Sequence, residues 1–397
     1  MSLSTYKIFK WQNLVVFLII LFCIRYIPLE TRGGPSMIKT GVSFFCLLLL
    51  VLRPLYLSKG FLLTMLYFLI VFSCTYMLHP ETFRWSTLLY LLSFLIVFVT
   101  FYNLVVCEQC LSYDVFLKLV KGLLIAFAVV LFLQQMLLIV GIRNFPLLNL
   151  SYYLGRGIGA NSLGGEPSSV ARIMSVLFLA LIRLLEIKYN RPLSLQDIFS
   201  EARWPVIAFL WTMVTMMSGT AFVGLALLSL YFVRRQSLLV VILVGVVFII
   251  VVPYIEFEPL QRAYRMVTAF LTTGDQDAVM KADGSGGSRA IVLINTFTEL
   301  DYSNLNAWIG HGVDYTKSFG GHQARLQVAV IGNINEYGLI SFIVMQIIVY
   351  SCIIRRFFSL ETLLWIFLFN MTFGNIAYAW GAVMVFSGVR YFQTNTP

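Results

Sequence analysis

Apolar runs of roughly membrane-spanning length alternate with short polar connectors along this chain, and the alternation breaks once. Between 252 and 338 the chain is polar for longer than anywhere else. A spanning helix needs about 20 mostly apolar residues. On that measure the runs predict helices over 14–26, 42–57, 61–78, 86–106, 123–140, 170–187, 204–217, 221–233, 238–252, 337–354, 360–373 and 377–389, about twelve spans in all. The pair meeting at Ser218 and Gly219 is also readable as one broken helix. The fold class expected is an all-α polytopic membrane protein whose large extracytoplasmic loop carries short amphipathic helices.

The placement of charge orients the helices. With Lys7 and Lys10 holding the amino terminus in the cytoplasm, alternate counting puts Lys59, Lys118 to Lys121, Lys188 to Arg203, Arg234 and Arg235, Arg355 and Arg356, and Arg390 on the inner side, as the positive-inside rule requires. Both termini are then cytoplasmic, and two loops, 142–169 and 254–336, face outward. The expected organisation is a scaffold of helices over 1–141, further helices with the first outer loop over 142–253, the large outer loop over 254–336 and closing helices over 337–397. The first apolar run has no small-residue cleavage site after it and is expected to stay as a helix.

Composition agrees. The chain is 59% hydrophobic and 12% charged with a mean hydropathy of +0.87, which excludes an ordinary soluble domain. The net charge of +10 comes from the loop-end cations just described. In the long loop acidic residues slightly outnumber basic ones, so a nucleic-acid partner is not expected. Cys23, Cys46, Cys74 and Cys352 lie in apolar runs and read as small buried hydrophobes; Cys107 and Cys110 make a lone C-x-x-C without a second ligand pair. Asp275 and Asp277 read as solvated acids, and no metal or cofactor is expected.

Candidate chemistry lies in the two outer loops. In the first, Glu166-Pro167 precedes Ser168 and Ser169, a helix start with Pro near the first turn and a Ser cap. Arg172 follows about one turn inside, where a guanidinium must snorkel or face a polar cavity. In the second, Phe257, Leu260, Tyr264, Val267 and Leu271 recur at helical spacing and predict an amphipathic helix on the outer membrane surface or over the bundle. Gly284-Ser285-Gly286-Gly287-Ser288 then opens a helical pattern at Arg289. A glycine-rich helix start exposes backbone N–H groups at the positive end of a dipole, and arginine adds a bidentate phosphate donor; a flexible linker before a capped helix reads the same way. Trp308, Tyr315 and Phe319 either stack on sugar rings or pack against the bundle. His322 is the preferred acid/base candidate, because imidazole titrates near neutrality; His311, between two glycines, ranks below it.

Four patches together resemble the bacterial O-antigen polymerase and ligase superfamily, the Wzy-type enzymes of polysaccharide assembly: Gly164-Gly165-Glu166-Pro167-Ser168 before a helix; the break Met217-Ser218-Gly219-Thr220-Ala221; Arg289 followed by Gly310-His311-Gly312; and Gly321-His322 leading to Asn335-Glu336-Tyr337-Gly338-Leu339-Ile340. The resemblance implies an enzyme of the bacterial cytoplasmic (inner) membrane. Working at the outer face without metal or nucleotide sugar, it transfers a glycan from undecaprenyl pyrophosphate to an acceptor hydroxyl. It also implies an arginine of the large outer loop, matched by Arg289, and a histidine before the Glu-x-Gly helix start, matched by His322. Gly219, where ligases commonly carry arginine, and Gln323 after His322, where asparagine is usual, favour a polymerase over a ligase. The expected site therefore has Arg289 with Arg172, Arg156, Arg325 and His311 on the pyrophosphate-linked substrate, and His322 or Glu166 taking the hydroxyl proton. Expected partners are the undecaprenyl-pyrophosphate-linked oligosaccharide, membrane lipid and a chain-length regulator. The competing readings are a ligase, a flippase or other transporter, and a non-catalytic assembly partner.

Overall fold

A computed structural model describes residues 3–26, 36–52, 56–82, 84–151, 157–233, 284–320, 322–374 and 376–395, with scattered positions between 254 and 279. Almost all ordered structure there is helical; the exception is the two-stranded pair Asn144–Phe145 and Leu150–Ser151, antiparallel with Asn144 opposite Ser151. Each expected span within the described residues is a helix: Leu3–Cys23, Met37–Leu52, Lys59–Phe72, Trp85–Tyr102, Tyr113–Ile139, Pro167–Tyr189, Arg203–Thr215, Gly219–Val233, Ile334–Ile348, Leu360–Phe369 and Ala377–Asn395. The run over 238–252 lies outside the described residues, as does most of the amphipathic segment over 257–271. Short helices do follow in the large loop, at Gly284–Thr298, Leu305–Ile309, Tyr315–Ser318 and His322–Gln327.

The count of twelve is not reproduced. Among the described residues three helical stretches are long and apolar enough to cross a membrane, Trp85–Cys107, Tyr113–Ile139 and Ile331–Ile353. The shortfall is physical. Leu360–Phe369 has 10 residues, about 15 Å at 1.5 Å per residue, against a hydrocarbon core of about 30 Å. Pro167–Tyr189 is long, but it carries Arg172, Arg183, Glu186 and Lys188.

The chain divides into two compact units, 1–120 with 292–358 and 369–397, and 121–291 with 359–368. In the first, Leu3–Cys23 packs along Ala377–Asn395. Gly381 permits that approach, since a Cβ there would lie 2.8 Å from the backbone of Phe22 and Cys23. Beside it Phe22, Phe94, Phe98, Phe373 and Trp380 form a buried aromatic nest, with Phe373 and Trp380 centred 4.2 Å apart. Three helices of this unit finish in single π turns, Ser73–Met77, Asn103–Cys107 and Val349–Ile353. Arg390 donates to the carbonyls of Tyr350 and Ile354 at 2.7 and 2.6 Å, so it caps carbonyls that the end of the third would leave open.

In the second unit Pro167–Tyr189 is the buried axis: from Val170 to Leu185 only Arg172 and Arg183 are not fully buried. Arg203–Thr215 and Gly219–Val233 pack on it, with Phe178 stacked on Phe209 at 4.0 Å. A Cβ on Gly224 would fall 2.2 Å from the Ser175 hydroxyl, so the two helices meet at near backbone distance. Leucine at Gly224 is expected to destabilise by about 1–3 kcal/mol through overpacking. Detergent thermal melts followed by size exclusion would show it, and an unchanged midpoint would mean the helices separate freely.

Candidate functional site

Residues 144–151 and 161–164 are held by buried amides. Gln134 donates to the carbonyls of Leu148 and Ser162 at 2.7 and 3.1 Å and accepts the Ser162 N–H at 2.6 Å. Asn149, in the left-handed region at φ 60, donates to the carbonyls of Ser162 and Gly164, and Asn161 donates to those of Asn149 and Gly164. These side chains are 0–1% exposed, and each amide satisfies carbonyls that a loop would otherwise bury unpaired. The network fixes the entry into Pro167–Tyr189. Glu166 is the exposed N-cap of that helix: Ser168 donates to its carboxylate at 2.6 Å, and its own N–H reaches the Ser169 hydroxyl at 3.4 Å. Capping explains the Glu-Pro-Ser-Ser run locally. Arg172 is half-buried in the second turn, and Arg156 lies outside the described residues.

Arg289 also belongs to this unit. It is 8% exposed and sits on Gly284–Thr298, whose first turns are the Gly/Ser run. Gly287 needs to be glycine, because a Cβ would lie 2.8 Å from the Val279 carbonyl oxygen.

The other candidates fall in the first unit. Here the turn after Leu305–Ile309 crosses the start of Ile334–Ile348: the N–H groups of His311 and Gly312 donate to the carbonyls of Asn335 and Glu336 at 2.9 and 3.1 Å. Gly310 at φ 84 and Gly338 at φ 81 make the crossing possible; a Cβ would stand 2.4 Å from the Glu336 oxygen at one and 2.2 Å from the Trp308 oxygen at the other. His311 Nδ1 lies 3.1 Å from the Asn335 carbonyl. A carbonyl only accepts, so the ring donates from Nδ1. The ring stacks on Tyr315 at 4.3 Å, and Tyr315 meets Phe319 edge-on at 5.0 Å. The crossing is anchored behind by Asn295, whose amide donates to the carbonyls of Leu326, Gln327 and Ala329.

His322 opens the helix His322–Gln327; its side chain is outside the described residues. Arg325 is exposed and its Nε donates to the carbonyls of Phe319 and Gly320 at 3.3 and 3.1 Å, a turn-fastening role. Asp301 is likewise a turn former, its carboxyl held below the usual range by the hydroxyl and N–H of Ser303. The structure thus has Glu166, Arg172 and Arg289 in one unit and His311, His322 and Arg325 in the other.

Two sets of residues at the crossing were not among the expected site residues, although Glu336 stands in one of the resembling patches. The turn 79–82 packs against Gly312, where a Cβ would lie 1.9 Å from the Thr82 hydroxyl and 3.0 Å from His79 Cβ. Arg84 pairs with Asp314 at 2.5 Å, Lys317 pairs with the same carboxylate, and His79 Nδ1 lies 3.3 Å from Glu81. The second set is Glu336 with Thr316, whose hydroxyl donates to the carboxylate at 2.5 Å. Contacts between chain positions 230 apart are invisible to local periodicity. Alanine at Gly310 is expected to open the crossing, adding about 1–3 kcal/mol of backbone strain to the clash with Glu336. Increased proteolysis of the 300–336 segment in membranes is the readout, and wild-type resistance would refute it.

No family model, curated protein or solved structure matches this chain.

Proposed function

We propose that the chain is a polysaccharide polymerase of the Wzy type, transferring a glycan from undecaprenyl pyrophosphate to a hydroxyl of another lipid-linked repeat unit at the outer face of the bacterial cytoplasmic membrane. The observation that carries the reading is Arg289, a buried guanidinium on a helix opened by Gly284-Ser285-Gly286-Gly287-Ser288, which is the placement a pyrophosphate group needs. The leaving group departs readily. Catalysis then consists mainly of holding the pyrophosphate, neutralising the charge that develops on it and orienting the acceptor. Arginine suits this better than lysine, because its planar fork meets two phosphate oxygens.

The sidedness inferred from charge is supported by contacts within each unit. Arg84 and the segment 310–317, both outer by the alternate count, meet through the Arg84–Asp314 ion pair. Lys121 and Lys188, both inner, meet Glu201, at its carbonyl and carboxylate respectively. The outer assignment of the crossing puts His311, Tyr315 and Phe319 where a glycan passes.

The deciding experiment is a gel profile of surface polysaccharide from a strain lacking the chain. Single repeat units on their acceptor, with the ladder restored by the wild-type chain, support a polymerase. Absence of all surface glycan points to a ligase or flippase, and repeat units trapped inside the cell single out the flippase.

A further inference from the structure

Two carboxylates are buried among the described residues, Glu361 at 8% exposure and Glu336 at 9%, and they are treated differently. Glu361 is neutralised: Arg183 meets both of its oxygens, Nε at 2.7 Å and Nη2 at 3.1 Å. Glu336 makes no ion pair with any described residue. Arg84 and Lys317, the cations that flank its segment, are both taken by Asp314. What Glu336 receives is the hydroxyl of Thr316 at 2.5 Å. A buried carboxylate is expensive unless paired, and those kept without a counter-charge concentrate at functional sites.

The surroundings are built to hold it there. The Gly312 N–H donates to the Glu336 carbonyl, and Gly310 and Gly338 occupy positive-φ conformations so that the two segments cross at backbone contact. Thr316, four residues past Gly312, is delivered by the same segment. Helix packing alone requires neither the charge nor the hydroxyl; an apolar side chain would fill the site more cheaply.

We propose that Glu336 accepts the proton of the acceptor hydroxyl, and that Thr316 is a positioning residue that orients its carboxylate. The proposal rests on the polymerase reading above. In the step, the acceptor oxygen forms a bond to the anomeric carbon of the donor glycan. The bond from that carbon to the pyrophosphate oxygen breaks, and its electron pair leaves on undecaprenyl pyrophosphate. The hydroxyl proton passes to Glu336 and from there to water. Glu166 is a helix cap in this scheme, and His311 lines the crossing.

The test is polymerisation of lipid-linked repeat units by purified protein in proteoliposomes, at equal amounts of folded protein. The wild type must first yield a ladder; if it does not, the polymerase reading fails and this inference falls with it. Given an active wild type, Glu336→Gln is expected to lower kcat by about 10²–10⁴-fold with KM little changed, and Glu336→Asp to recover part of the rate. Glutamine keeps an oxygen to accept the Thr316 hydroxyl, so a purely structural role would survive it. A Gln variant within about tenfold of wild-type kcat overturns the proposal. So does loss of the folded Gln variant from the size-exclusion profile, because the hydrogen bond alone would then not explain the fold. A large loss confined to His311→Gln, with Glu336→Gln active, moves the proton acceptor to His311.

Discussion

Alanine in place of Arg289 is expected to leave single repeat units at the cell surface where the wild-type chain leaves a ladder, with the protein at normal abundance. On the proposed reading Arg289 supplies two directed N–H donors to pyrophosphate oxygens, and the first turn of its helix presents backbone N–H groups at the positive end of the dipole. Removing one such charge-directed donor pair typically lowers the chemical step by about 10²–10³-fold. Lysine at the same position keeps the charge and loses the fork, so an intermediate ladder is expected. Because Arg289 is 8% exposed, truncation also removes packing. Arg289→Gln, closer in volume and still polar, separates the two effects: it should fold like wild type and polymerise like alanine. Full-length polymer at normal yield from either variant removes Arg289 from the mechanism.

Much of the helical architecture was legible because lipid and protein interior select the same apolar residues, and a run of them is visible without knowing which surrounds it. For the same reason the number of spans was not legible. The runs at 170–187 and 360–373 both read as spans, yet one lies in a charged, almost wholly buried axis, Pro167–Tyr189, and the other forms Leu360–Phe369, short for a bilayer. Where chain chemistry is local the reading was sharp: Pro167 and the serines marked a helix start within a few residues. The cations were read as sitting at helix ends, and the helices reach past them: Tyr113–Ile139 carries Lys118 and Lys121 in its early turns, as long side chains that reach past a helix end allow. Arg390 lies on the last helix and closes the carbonyls of another, a contact that charge placement alone does not reveal. At the site, Arg289 and the glycine pattern were visible as composition. Glu336 and Thr316 were not, because nothing in Asn335-Glu336-Tyr337-Gly338 says that the carboxylate is buried or that a threonine 20 residues earlier reaches it.

The second large effect concerns the ion-pair cluster around Arg183, on the buried axis of the second unit. Methionine in place of Arg183 is expected to destabilise the protein by about 3–5 kcal/mol, as breaking a buried ion pair does when one charge is left behind. Arg183 holds Glu361 through two of its nitrogens and Glu186 through the third at 2.8 Å, and Glu186 in turn accepts the Tyr231 hydroxyl at 2.8 Å. Tyr231 also accepts the Leu193 N–H at 2.9 Å, so one guanidinium ties Leu360–Phe369, Gly219–Val233 and the turn at 190–194 to the buried axis. Glu361→Gln should lose less than Arg183→Met, since Arg183 keeps Glu186 and a glutamine oxygen still accepts its N–H. Arg183→Met combined with Glu361→Leu should recover most of the loss, because the double variant buries no unpaired charge at 361, and the difference between the cycle's arms measures the coupling directly. Thermal midpoints in detergent, scored by size exclusion, give all three values under one condition. A double variant as unstable as Arg183→Met would mean that the guanidinium acts through Glu186 and Tyr231 alone, and a neutral Arg183→Met would place the cluster in solvent, where ion pairs contribute little.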